Sequence, residues 1–263
     1  MSRGLFANQN QDGESYSFTT NKNGTFYWYI DKHNPDQFPW VGGSATPTRN
    51  IRIDFGDGSP PEAPLLTSIA GLDNTLLSQS HVYTDGSNKT VTFSTEKLEE
   101  IRYFRIGMAN TVNNVFTGKT NLDLTPFKKL YFIGVGRNVN ITGFTFDPDN
   151  TQPLGFLFSQ NCDLTGEIDL TGFDMTNLNT IDLGQNPNLT SVKFPSNTKI
   201  TGNNFIDICD LSGHYDLSSW GGVGQTLKWN NNNLTGITLP LITGATGSAT
   251  SGVQLHNNDL TGV

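Results

Sequence analysis

The chain has 263 residues and a formal charge of −8, from 24 acidic against 16 basic side chains with no Lys/Arg cluster. An acidic surface without a basic stripe excludes nucleic acid as the expected partner. Charged residues make up only 15% and hydrophobic ones 35%, which excludes both a charge-rich disordered chain and a membrane-spanning one. Seventeen Phe amid abundant Asn, Thr and Gly point to ordered β-packing broken by turns.

The N-terminus, "MSRGLFANQNQDGESYSF", lacks the apolar core and small-residue cleavage site of a secretory leader. Residues 1–15 read as a polar arm suited to anchoring a neighbouring subunit. Across residues 16–100 come the short runs "SYSFTT", "GTFYWYI", "NIRIDFG" and "KTVTFST", apolar at alternate positions and separated by Gly, Pro and Asn. That pattern predicts strands of an antiparallel β-structure. The alternate aromatics of Phe26–Ile30 are expected in its core, while "QFPWVGG" (Gln37–Gly43) adds aromatics of either core or partner-facing use.

"RIDFGDGS" (Arg52–Ser59), followed by "SHVYTDGSNKTVTF" (Ser80–Phe93), resembles the PKD-like, immunoglobulin-like β-sandwich family. The resemblance rests on Phe55, Gly56, Asp57 and Gly58, then His81 and Tyr83. It implies a spacer or adhesion module, with His81 in a structural side-chain bond. The connecting segment "PPEAPLLTSIAGLDNTLLSQ" is longer than that family's pattern. A short capping segment is expected at Lys97–Glu100, where the sandwich gives way to a different organisation.

Residues 101–263 repeat. A hydrophobic-Thr/Ser-Gly/Ser triplet starts at Phe116, Ile141, Leu164, Leu189, Leu211, Leu234 and Leu260, at spacings of 25, 23, 25, 22, 23 and 26 residues. "LYFIGVGRNVNI" (Leu130–Ile141) and "LNTIDLGQNPNL" (Leu178–Leu189) share an interior pattern L-x-x-I-x-(V/L)-x-x-N-x-x-(I/L). Period and pattern together resemble the leucine-rich repeat family, whose units run roughly 20–29 residues. The resemblance implies a solenoid of about seven coils with short stacked parallel strands. It also implies an inward-turned Asn per coil, assigned to Asn138, Asn161, Asn186, Asn232 and Asn258, with Ile208 at that place in the fifth unit. Gly after Thr fits a turn with positive φ.

Cys162 and Cys209 lie two repeats apart, so stacking separates them by about 10 Å, beyond bridging reach. They are expected as buried free thiols. By alternation, Phe132, Asp182 and Lys228 fall on the outer face of the strands and form the predicted partner surface.

No constellation for catalysis is found in the sequence. Asp54 and Asp57 sit near a Gly turn but lack full calcium-loop spacing, so turn formation is the expected role, as it is for Asp147 and Asp149. The four His are scattered, and no phosphate loop, metal-binding Cys/His pair or nucleophile elbow occurs. The sequence thus predicts a non-enzymatic protein without cofactor or metal and without membrane insertion. Its composition is similar to surface and virion proteins of Bacteroidetes-type bacteria and their phages. The function expected is a bacteriophage virion component, as tail fibre, head fibre or decoration protein, assembled in the host cytoplasm. Its partners would be other virion or surface proteins, a further copy as homo-oligomer, or a host-surface receptor or glycan. The alternative is a bacterial cell-surface or secreted adhesin. Because "HNNDLTGV" stops within a repeat, the solenoid end is expected to be covered by further chain or another subunit.

Overall fold

Alternation sets the strands. β5 (Lys89–Thr95) reads KTVTFST and buries every second side chain, Lys89, Val91, Phe93 and Thr95. It is flanked antiparallel by β1 (Glu14–Thr20) and β3 (Ile51–Asp54), making a three-stranded sheet. The computed structural model describes residues 13–31, 51–61, 79–107, 115–149, 153–221, 226–239 and 252–261. "QFPWVGG" and most of the long connection after Pro60 lie outside these residues, as does most of the N-terminal arm.

β2 (Gly24–Asp31) and β4 (Gln79–Tyr83) also pair antiparallel. The sheet they start does not stop there. β2 pairs antiparallel with β6 (Tyr103–Ile106), and β6 opens a parallel stack. That stack continues through β8 (Phe132–Gly134), β10 (Phe156–Phe158), β12 (Thr180–Asp182), β14 (Asn203–Phe205), β16 (Thr226–Lys228) and β18 (Gly252–Gln254). The result is one nine-stranded sheet running from β4 to β18. Residues 120–254 wind as a β-solenoid of about five turns. The sequence suggested about seven coils; seven parallel strands stack from β6 to β18, and the winding itself comes to about five turns.

The core is equally continuous. Phe18, Trp28, Phe55 and Phe93 belong to the same buried cluster as Leu157, Leu183 and Leu234. Tyr16, Phe104 and Phe127 close the seam between the two parts, with ring centroids 5.0 to 6.0 Å apart. A 3-10 turn at Leu98–Glu100 sits at the changeover, and its Leu98 N–H donates to Glu14 Oε2 at 2.6 Å.

Inside the solenoid one polar position recurs. Asn138 Nδ2 donates to Val135 O in its own coil (2.7 Å) and to Ile106 O in the coil before (3.0 Å), while its Oδ1 accepts from Val115 N–H (3.0 Å). Asn186, Asn232 and Asn258 repeat that arrangement. In the two remaining coils the place belongs to cysteine. Cys162 Sγ donates to Val135 O and Cys209 Sγ to Leu183 O, each at 3.4 Å. Asn161 therefore does not form the rung assigned to it, and Ile208 does not stand in for one. Both occupy the preceding residue, which is left-handed in every coil: Arg137 φ 65°, Asn161 53°, Gln185 59°, Ile208 57°, Asn231 56° and Asn257 58°. Asn tolerates that conformation, so its letter fits both positions.

The strands on the other side of the coils reveal a longer period. They pair only two by two: β7 (Thr120–Asp123) with β9 (Ile141–Thr145), β11 (Thr165–Asp169) with β13 (Asn188–Lys193), and β15 (Ser212–Asp216) with β17 (Asn233–Thr238). Every pair contains a bulge. Positive φ occurs at Gly118, just before β7, and at Gly166 and Gly213, within β11 and β15, so the expected glycine turn holds in alternate coils only. "CDLTGEIDLTGF" (Cys162–Phe173) and "CDLSGHYDLSSW" (Cys209–Trp220) recur at 47 residues. In the second and third pairs Asn188 and Asn233 donate to Asp163 and Asp210. The structural unit is thus a doublet of coils.

Ile208 is the least suited of the left-handed residues, being β-branched and 45% exposed. Ile208→Asn is expected to relieve about 1 kcal/mol of backbone strain and raise the Tm by roughly 2–4 °C. Thermal denaturation followed by circular dichroism measures this; an unchanged or lower Tm would contradict the assignment.

Candidate functional site

Phe55, Gly56, Asp57, Gly58, His81 and Tyr83 come together in the structure. Phe55 and His81 stack at 3.8 Å between centroids, His81 Nε2 lies 2.7 Å from Asp57 Oδ2, and Tyr83 Oη donates to Phe55 O at 3.0 Å. Gly56 and Gly58 both have positive φ, and a Cβ on Gly56 would meet Thr90 O at 2.4 Å. Asp54 Oδ1 accepts from Gly56 N–H and Asp57 Oδ1 from Ser59 N–H, at 2.8 and 3.0 Å. Burial raises the Asp57 carboxyl, but hydrogen bonds from Ser59 and His81 outweigh it and hold the group near about 2. These groups make turns and packing; their polar atoms are committed to one another.

The two cysteines are free and buried, and burial pushes both thiols up to about 12. They stay protonated and act as weak donors to backbone. Asp147 accepts from Asp149 N–H at 2.8 Å, the Asx turn that its Asp-Pro context suggested.

The outer face of the parallel sheet is chemically different. Register aligns Phe132 with Phe156, then Phe158 with Asp182, Asp182 with Phe205 and Phe205 with Lys228. At one end the rings of Tyr103, Tyr131, Phe132, Phe156 and Phe158 form a second aromatic cluster, apart from the main core. Phe132 lies on the face where alternation put it, yet retains only 2% exposure. Phe156, Phe158 and Phe205 are half-buried. Beyond them, Lys228 Nζ contacts Asp207 Oδ2 at 2.7 Å, and Asp182 Oδ1 accepts from Gly184 N–H at 3.2 Å. Gly184 makes this crowding feasible, since a Cβ there would lie 2.7 Å from Asp207 Oδ1 and 3.5 Å from Asp182 Oδ1.

Asp182 and Lys228, two of the three residues singled out from sequence, therefore come together around Asp207. Asp207 itself was missed, because it follows the strand in a stretch where alternation no longer specifies a face. Burial first, and then the neighbouring Asp207, raise the Asp182 carboxyl to about 6, against the opposing pull of the Gly184 N–H, Lys228 and Arg137.

Among the described residues no group of three or more His, Cys, Asp or Glu is placed to hold a metal ion, and no helix is long and apolar enough to cross a membrane. Comparison with protein-family models, curated proteins and solved structures gives no match.

The folded pKa of Asp182 lies above the ordinary 3.8. Its favourable contribution is therefore present below about pH 4 and lost as pH rises through about 6. Asp182→Asn removes that loss while keeping an acceptor for Gly184. The variant should exceed wild type by about 1 kcal/mol at about pH 8, with the difference vanishing towards about pH 4. Urea denaturation at both pH values measures it. A variant less stable than wild type at the higher pH would mean that Lys228 and Arg137, and not burial, dominate.

Proposed function

We propose that this chain is a non-enzymatic structural and binding protein, in which a PKD-type, immunoglobulin-like sandwich carries leucine-rich-repeat coils. In this reading it is a bacteriophage virion component, as tail fibre, head fibre or decoration protein, that serves assembly or attachment to a host surface. The observation that carries it is the uninterrupted sheet from β4 to β18. Such a ladder mounts one extended face on a support whose side chains are packed throughout. In the N-terminal part the paired polar groups, Asp57 with His81 and Asp85 with Lys89, are engaged in turns. The outer sheet face, by contrast, offers half-buried aromatics beside charges, the composition of a recognition surface.

Mass spectrometry of density-gradient fractions from the source culture tests the placement. The polypeptide is expected to co-sediment with virus particles. Recovery from cell envelopes in a form with a trimmed leader would overturn the virion reading in favour of a surface adhesin. Binding of the labelled, purified chain to intact host cells tests the recognition role separately, and absence of any binding would overturn it.

A further inference from the structure

The outer face combines chemistries that packing alone does not require. Phe158, Asp182, Phe205 and Lys228 stand on four consecutive strands in register, roughly 4.8 Å apart. The Asp182 carboxylate is thus bracketed by two half-buried rings. One step further along the strands, Gly184, Asp207 and Asn230 occupy corresponding places in three adjacent coils. The Lys228–Asp207 contact ties that row to the first.

Asn230 supplies the independent observation. It is 4% exposed, and its Oδ1 is enclosed without a hydrogen-bond partner among the described residues. The Ile208 N–H donates to Asn230 O, which sets Asn230 beside Asp207 in the row that the Lys228 contact marks. Native proteins leave few such atoms unpaired, and an enclosed unpaired acceptor bordering a partly exposed face marks a place where an added donor completes the bonding. Asp182 adds a second acceptor: among the described residues Gly184 N–H is the one donor on its carboxylate. The patch therefore asks for a ligand with several donors to meet Asp182 and Asn230 and at least one acceptor for Lys228. Apolar C–H surface is needed to lie on Phe158 and Phe205.

We propose that the patch formed by Asp182, Asp207, Lys228 and Asn230 between Phe158 and Phe205 is a binding site for a neutral saccharide. A pyranose ring carries adjacent hydroxyls, each able to donate and accept, on a ring whose C–H face packs on aromatic surface. An anion would meet two carboxylates, and a primary amine would meet the Lys228 ammonium while offering little to the phenyl rings. The saccharide therefore satisfies more of the patch than either. The inference rests on reading the chain as a binding module and specifies what that module recognises.

The test is an array of microbial surface glycans probed with the full chain, followed by titration calorimetry with the best neutral glycan. Binding is expected to fall at least about tenfold in Asp182→Ala and in Phe205→Ser, with Val82→Thr on the exposed face of β4 as an unaffected control. Melting curves check that each variant is folded. Phe158→Ser replaces Phe205→Ser should the latter unfold. Failure to bind any neutral glycan overturns the proposal. So does binding that both substitutions leave unchanged, or recognition confined to amine-bearing or anionic glycans. If the array is blank while the chain still binds whole host cells, the saccharide site alone is lost; if cells are not bound either, the binding-module reading falls with it.

Discussion

A single inward-turned polar side chain per coil is what allows this solenoid to close its corners. Each turn between a sheet strand and the opposite strand takes backbone N–H and C=O groups out of water, and unpaired groups there are costly. Asn meets the need because its amide both donates and accepts. Asn186 bonds Leu183 O in its own coil, Ser159 O in the coil before and the Leu164 N–H as well. Cysteine in the same place can only donate weakly. Cys162 and Cys209 are tolerated because the corresponding N–H groups of the coils before them, Ile141 and Leu189, turn instead to Asn138 O and Asn186 O at 2.9 and 3.0 Å. The alternation of Asn and Cys from Asn138 to Asn232 and the pairwise bulged strands are then two expressions of the same doublet.

The N-terminal part depends on the same sheet. A parallel stack must end in a strand with unpaired backbone groups, and exposed edges invite association. Here β2 covers that edge by antiparallel pairing with β6, and Phe93, Phe104 and Phe127 continue the core across the joint. The two parts are therefore coupled by main-chain hydrogen bonds and by shared apolar packing. Strain or loss of contacts at the joint would be felt on both sides.

Much of this was legible in the amino acids. The triplet spacing gave the coil period, alternation placed β1, β2, β3 and β5, and the separation of the cysteines ruled out a bridge. The losses have physical causes. Asn161 was misplaced by one residue because Asn suits both a left-handed turn and an inward rung. The doublet was hidden because near-identical triplets, Leu164–Gly166 and Leu234–Gly236, adopt different backbones according to which partner strand they meet. Asn204 is marked by no motif, yet it lies in the core, where its Oδ1 accepts from Trp229 Nε1 at 2.9 Å. Phe132 was assigned to the correct face, but alternation carries no information about the aromatic neighbours that enclose it. Asp207 gained its meaning only from the contact with Lys228 across the stack.

The importance of the rungs is most directly measured by native-state amide hydrogen exchange on wild type and Asn186→Ala. Wild type is expected to protect the Leu164 and Leu211 amides strongly. In the variant, the Leu164 amide should lose its protection while Leu211, held by Asn232, keeps it. A Leu164 amide that exchanges freely in wild type, or that stays equally protected in the variant, would contradict the view that these side chains hold the coils together.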